Sequence, residues 1–207
     1  MTKLEIITKA QLYLDDTSEL STQEFSDLFD KMYRKINSSR PWEGTKSEGT
    51  GTTSTSVAYI ALPSDFLYLT ANANHTTSNY EAETPVVFVG TDYEEYQVVS
   101  WSDRRQYRTH SNKAYLDIPN SRLVFTKQPV AAEAVEFDYH AQMPALANGE
   151  SPWFPEEYHD AIYHYMVADD FMIQQSDKAK SYAKENWSNA EDIMADMAYW
   201  NSQLVIL

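Results

Sequence analysis

Glu156 and His159 stand three residues apart in FPEEYHDAIYHYM, and Asp160 and His164 four apart. On a helix each pair shares a face. Glu-x-x-His is half of a carboxylate-bridged di-iron site, which needs a second such pair on another helix. The chain holds no second one. Asp160 and His164 supply two ligands, short of the three or four a metal site takes. A carboxylate-rich helix start explains the same letters, because the first turn is positively polarised. The remaining acid chemistry is glycoside cleavage, which needs two carboxyl groups about 5 to 9.5 Å apart, one of them raised by an apolar pocket. Glu156 or Glu157, near Trp153 and Phe154, is the candidate for the raised carboxyl of a peptidoglycan-cleaving enzyme, and its partner acid is left open among the 31 carboxylates. No Gly-x-Ser-x-Gly elbow, Gly-x-x-x-x-Gly-Lys phosphate loop or Gly-x-Gly-x-x-Gly fingerprint occurs. With no cysteine, thiolate nucleophiles, thiolate metal sites and disulfides are excluded. No catalytic residue, cofactor or metal is therefore assigned.

The element that must position these residues is the last third of the chain. A helix opens after Pro155, with Tyr158, Ala161, Ile162, Tyr165, Met166, Met172 and Ile173 as its apolar stripe. Ser176 can cap a second, striped by Ala179, Tyr182, Ala183, Trp187, Ala190, Ile193, Met194, Met197 and Trp200. Two helices so closely joined fold back on each other or run on as one bent rod. Upstream, residues 3 to 15 form a short amphipathic helix carrying Leu4, Ile7, Leu12 and Leu14. Residues 21 to 36 form a stronger one, with Ser21 and Glu24 as a capping box and Phe25, Leu28, Phe29, Met32 and Ile36 as its buried face.

Between the helical ends the character changes twice. NSSRPWEGTKSEGTGTTSTS is rich in Gly, Ser and Thr. Ordering it costs roughly 1–2 kcal/mol per residue, which burial of Trp42 does not offset, so a flexible loop is expected. Residues 57 to 146 read as strands, with KAYLDIPNSRLVFTKQP as a hairpin turning at Pro-Asn-Ser. AVEFDYHA alternates Val135, Phe137 and Tyr139 against Glu136, Asp138 and His140, a half-exposed strand. The expected fold is α+β, an antiparallel helical bundle from both chain ends with an inserted β-rich domain. Its parts are residues 1–38 (N-terminal bundle helices), 39–56 (flexible loop), 57–150 (β-rich insertion) and 151–207 (C-terminal helices and a docking tail).

The formal charge is −15, from 16 Lys and Arg against 31 Asp and Glu. The bases are scattered except at Asp103-Arg104-Arg105 and Arg108. Ordinary nucleic-acid binding needs a basic stripe and is disfavoured; an acidic wall instead lets DNA slide past without sticking. No basic-then-apolar leader pattern and no long apolar run occurs, so neither secretion nor a membrane span is expected.

The order of segments is more specific than any motif. A short N-terminal helix, a second helix running into Ser39-Arg40-Pro41-Trp42-Glu43, a Gly/Thr-rich stretch and YIALPSDFLYL come first. A Tyr-rich hairpin closing on a proline and then WFPEEYHDAIYHYMVADDF follow. This order resembles the head-to-tail adaptor (connector) proteins of tailed bacteriophages, of the short-tailed-phage type. The resemblance implies a non-enzymatic virion protein, assembled in the host cytoplasm. It implies a ring of about twelve copies that joins the portal protein to tail tube or nozzle proteins, with DNA passing through the lumen unbound. A ring needs two complementary patches per copy, and aromatics suit such interfaces; the chain has 15 Tyr. The expected portal or neighbour interface is Trp200, Leu204, Val205, Ile206 and Leu207, with Trp42. Burying the four aliphatics is worth roughly 6–12 kcal/mol before ordering costs. Asp169, Asp170, Glu191, Asp192 and Asp196 are candidates to face a lumen. The alternatives are the peptidoglycan-degrading virion hydrolase and a monomeric carbohydrate- or protein-binding module.

Overall fold

The computed structural model describes residues 1–14, 20–70, 84–174 and 176–204, and they fall into two compact units, Met1–Gly44 with Met143–Leu207 and Thr45–Gln142.

In the first unit, α1 spans Lys3–Leu14 and α2 Thr22–Ser38. Ser21 caps α2 as its spacing from Glu24 predicts: Glu24 N donates to Ser21 Oγ at 3.3 Å and Ser21 N to Glu24 Oε2 at 2.7 Å. Phe25, Leu28, Phe29, Met32, Tyr33 and Ile36 are buried. In α1 the buried face is Ile6, Ile7, Ala10 and Leu14, while Leu4 and Leu12 point out. Lys3 is buried as well; its Nζ donates to Asp30 Oδ1 of α2 at 2.8 Å and lies 5.3 Å from the Phe29 ring centroid. A buried ammonium needs such a partner to offset the cost of its desolvation.

The long helices at the other end are α3, Asp160–Ile173, and α4, Asp177–Leu204. Glu156–Tyr158 form a 3₁₀ turn ahead of α3. Ser176 Oγ accepts from Ala179 N at 3.0 Å and so caps α4. α3 is apolar on every side: Ala161, Ile162, Tyr163, Tyr165, Met166, Val167, Ala168 and Phe171 are all buried. A helix without a polar face must be surrounded, and α1, α2 and α4 each pack on it. The face of α4 that meets it, Ala179, Ala183, Ala190, Met194 and Met197, is mostly small.

The described residues of the second unit form one eight-stranded sheet. Its strands are β1 (Lys46–Thr52), β2 (Tyr59–Ala61), β3 (Phe66–Leu69), β4 (Val86–Val89), β5 (Glu94–Val99), β6 (Lys113–Asp117), β7 (Arg122–Phe125) and β8 (Ala134–Ala141). The order is β1-β8-β4-β5-β6-β7-β2, with β3 pairing β8 beside β4. All pairs are antiparallel except β5–β6. The two ends of this path approach each other, since a Cβ on Gly51 of β1 would lie 2.9 Å from Ile60 Cδ1 of β2. The sheet is thus an almost closed barrel around Ile60, Leu69, Val87, Val98, Leu123, Phe125, Val135, Phe137 and Tyr139. The expected hairpin is β6–β7, with Leu116 opposite Leu123 and Ser121 left-handed at φ 51° in its turn.

Two expectations are corrected. The fold is mixed α+β, with, among the described residues, four α-helices at the chain ends and a nearly closed eight-stranded sheet, and it is not an antiparallel helical bundle. A bundle shares its core among equal stripes, whereas here α3 buries residues on every side along most of its length and α1, α2 and α4 pack on it. The 39–56 stretch is not a loop throughout: β1 runs through it and pairs residue by residue with β8, from Lys46 opposite His140 to Thr52 opposite Ala134. The backbone bonds of that ladder offset the ordering entropy that composition alone left uncovered. Gly49 of β1 has a packing reason, because a Cβ there would sit 2.4 Å from Cε2 and Cζ of Phe137.

Candidate functional site

The residues with chemical spacing are spent on holding the helices. His159 is buried; its Nε2 lies 2.9 Å from the Phe154 carbonyl and its Nδ1 3.1 Å from Met1 N. Burial, the largest influence, pushes its pKa below the ordinary value, so the neutral imidazole is favoured. Asp160 accepts from Lys9 Nζ of α1 at 2.7 Å, and His164 Nδ1 meets Asn186 Oδ1 of α4 at 2.8 Å. His159, Asp160 and His164 thus each face a different partner. Among the described residues no three His, Asp or Glu side chains stand together as a metal site would need. The side chain of Glu156 is 73% exposed and Glu157 is exposed too. Neither has the apolar surroundings that would make a carboxyl a general acid.

What converges near Glu156 is aromatic. Trp42 is fully buried, donates Nε1–H to the Ile36 carbonyl at 2.7 Å and lies edge-on to Trp153 at 6.3 Å. Trp153 donates to Asn37 Oδ1 at 2.6 Å and sits 6.3 Å from Trp200, which is 5.8 Å from Tyr158. Gly44 lies beneath the Trp153 ring, where a Cβ would be 2.2 Å from Cε3. Asn201 closes the cluster, with Oδ1 accepting from Glu43 N at 2.8 Å and Nδ2 donating to the Pro41 carbonyl at 3.3 Å. Sequence reasoning singled out Arg40-Pro41-Trp42 and Trp200 but not Asn201 or Asn37. A polar residue on a buried helix face was the signal available.

The expected interface residues thus separate. Trp42 is interior, a correction to its placement at a partner surface: its indole fills the gap between the α2 carboxyl end and Trp153. Trp200 is half-buried against Trp153 and Tyr158, and Leu204 is 38% exposed at the end of α4. Val205, Ile206 and Leu207 lie outside the described residues.

Other surfaces were not read from the sequence. Leu12, Tyr13, Met172 and Ile173 are 50–75% exposed. Beside them is a depression of about 300 Å³ lined by Tyr13, Phe171, Gln174, Ser176, Lys178 and Tyr182. Met172 and Ile173 fall off the expected stripe because α3 ends at Ile173, beyond the reach of its neighbours. Lys35 Nζ lies 3.9 Å from the Tyr165 ring centroid and 3.6 Å from that of Trp187, a cation held between two rings. Of the lumen candidates, Asp169 pairs with Lys31 at 2.9 Å, Asp170 is buried and accepts from Gln174 Nε2 at 2.9 Å, and Glu191 accepts from Tyr165 Oη at 2.6 Å. Asp192 and Asp196 are exposed.

The helical unit therefore offers aromatic and apolar surface, while His159, Asp160, His164, Asp169, Asp170 and Glu191 are engaged with packing partners. No curated protein matches the chain. The SU10 adaptor protein family matches residues 1–206, which takes in both units and bears out the resemblance to phage head-to-tail adaptors. With a match of that extent, the chain belongs to the SU10 adaptor protein family.

Proposed function

We propose that this phage adaptor, a structural component of the virion, works as a ring that joins the portal to tail components around the DNA path. The observation that carries the reading is the family match over residues 1–206. Physical features support it. A ring of about twelve copies closes only through two different patches on each copy. The helical unit leaves Leu12, Tyr13, Met172, Ile173 and Leu204 exposed. A charge of −15 suits a lumen through which DNA passes without a resting point. Among the described residues no helix is long and apolar enough to cross a membrane.

The C-terminal segment from Trp200 to Leu207 is the part that docks on the portal in this reading. The test mixes purified portal rings with the full chain or with a form lacking residues 203 to 207, followed by sedimentation and electron micrographs. The full chain should decorate portals as rings. The shortened form should lose binding with its far-UV circular dichroism unchanged; unaltered binding refutes the docking. A chain that stays near 24 kDa and never joins portal rings refutes the ring.

A further inference from the structure

The adaptor reading leaves the basic cluster around Arg104 unused. Residues 101–113 hold four bases (Arg104, Arg105, Arg108 and Lys113) against one acid, Asp103. That is a net +3 within a chain of −15, which leaves −18 for the rest. The cluster's arginines lie on the connection between β5 and β6, a parallel pair, and Lys113 is the first residue of β6. A parallel pair needs a crossover that leaves the sheet and returns, so the connection stands out from the barrel. Arg105 and Arg108 are exposed, and within the described residues neither has an ion pair. The Arg104 guanidinium lies 3.7 Å from the Trp101 ring centroid and donates to the Trp101 carbonyl, and Trp101 stands edge-on to Tyr115 at 5.4 Å. Asp103 does not neutralise the arginines: it accepts from Ser100 Oγ at 2.8 Å, and its own N–H donates back to that oxygen at 3.2 Å. The tip is therefore a pre-shaped cationic and aromatic knob.

An acidic counterpart exists on α4. Its bases, Lys178, Lys180 and Lys184, sit in the first turns, and from Glu185 to Leu204 there are only acids. This order opposes the helix dipole, which favours anions at the N-terminus and cations at the C-terminus. Helix stability is thus not the reason for it. Glu185, Asp192 and Asp196, spaced seven and four apart, share one face, are exposed and have no ion pair among the described residues. They span about 16 Å along the axis.

We propose that the Arg104–Arg108 tip of one copy docks on the Glu185/Asp192/Asp196 face of a neighbouring copy. Resting on the ring reading, the proposal makes these the two patches that head-to-tail closure requires. Arginine forks fit carboxylates in pairs. Nucleic acid fits less well, since the other residues carry −18 and would repel the phosphates that three arginines attract.

The absence of cysteine makes the test clean. A Gln106→Cys variant (tip) is mixed with an Asn189→Cys variant (α4 face) under oxidising conditions, and the rate of disulfide-linked heterodimer is measured. A Val130→Cys variant, at a position 87% exposed outside both patches, replaces the tip variant as the collision control. The tip pair should link about 10-fold faster than the control at low salt, and the excess should vanish near 1 M salt, where charges are screened beyond about 3 Å. Adding Arg104→Glu, Arg105→Glu and Arg108→Glu to the tip variant should remove the excess, and Asp192→Lys with Asp196→Lys in its partner should restore it. Linking at the control rate overturns the proposal, including where the same arginine changes release the protein from double-stranded DNA. Rings on the portal without the excess sink this contact alone; the excess without rings sinks the ring alone.

Discussion

Gly49→Ala separates a paired β1 from a loose Gly/Thr-rich segment by the sign of its effect. In a flexible loop the change removes conformational freedom from the unfolded chain, and stability rises by about 0.4–1 kcal/mol or does not move. In the structure the backbone at Gly49 is not left-handed, so alanine meets no strain in φ. It meets the Phe137 ring instead, at 2.4 Å, and Phe137 is 1% exposed with no free side to turn to. Overpacking of that kind costs about 1–3 kcal/mol. The expected result is a fall in the urea midpoint of that size, with faster amide exchange in β8, whose residues from Ala134 to His140 lie opposite β1. Phe137→Leu makes room, so the double variant should be more stable than the sum of the two single losses by about 1 kcal/mol. A neutral or stabilising Gly49→Ala, or strict additivity with Phe137→Leu, would refute the pairing of β1 with β8 in this register.

Two further expectations concern the helical unit. The buried His159 has its pKa depressed by burial, so protonation works against the fold. Stability should be full above the ordinary histidine value near 6.5 and decline as pH falls below it toward the folded value. Thermal melts at pH 5 and 7.5 should show that decline, and His159→Gln should flatten it; an equal decline in the variant would assign it to other groups. Met166→Ala, at a fully buried position of α3, should cost about 2–5 kcal/mol, whereas Met172→Ala, 60% exposed, should change stability by less than about 0.5 kcal/mol. Denaturant titration decides between them, and equal losses would contradict the helix packing described.

Sequence by itself determined what depends on neighbours in the chain. Ser21 and Glu24 meet across three residues and form their capping box wherever the helix packs. Ile118, Pro119, Asn120 and Ser121 turn the β6–β7 hairpin locally, and alternation gave β8 its inward Val135, Phe137 and Tyr139. The order of segments was enough to identify the adaptor family, which the match over residues 1–206 bears out. Tertiary structure alone decided whatever depends on distant partners. Composition made β1 look like a loop because its stabilising ladder is supplied by β8, some ninety residues on. Trp42 read as a surface anchor because Trp153 and Asn201, which enclose its segment, are more than a hundred residues away. Periodicity put Met166 and Met172 on one stripe, but where a helix loses its neighbours is set by the elements packed on it. Burial is a property of the whole assembly of elements, so a local pattern can name the candidates for a core or an interface without saying which side of the boundary each will occupy.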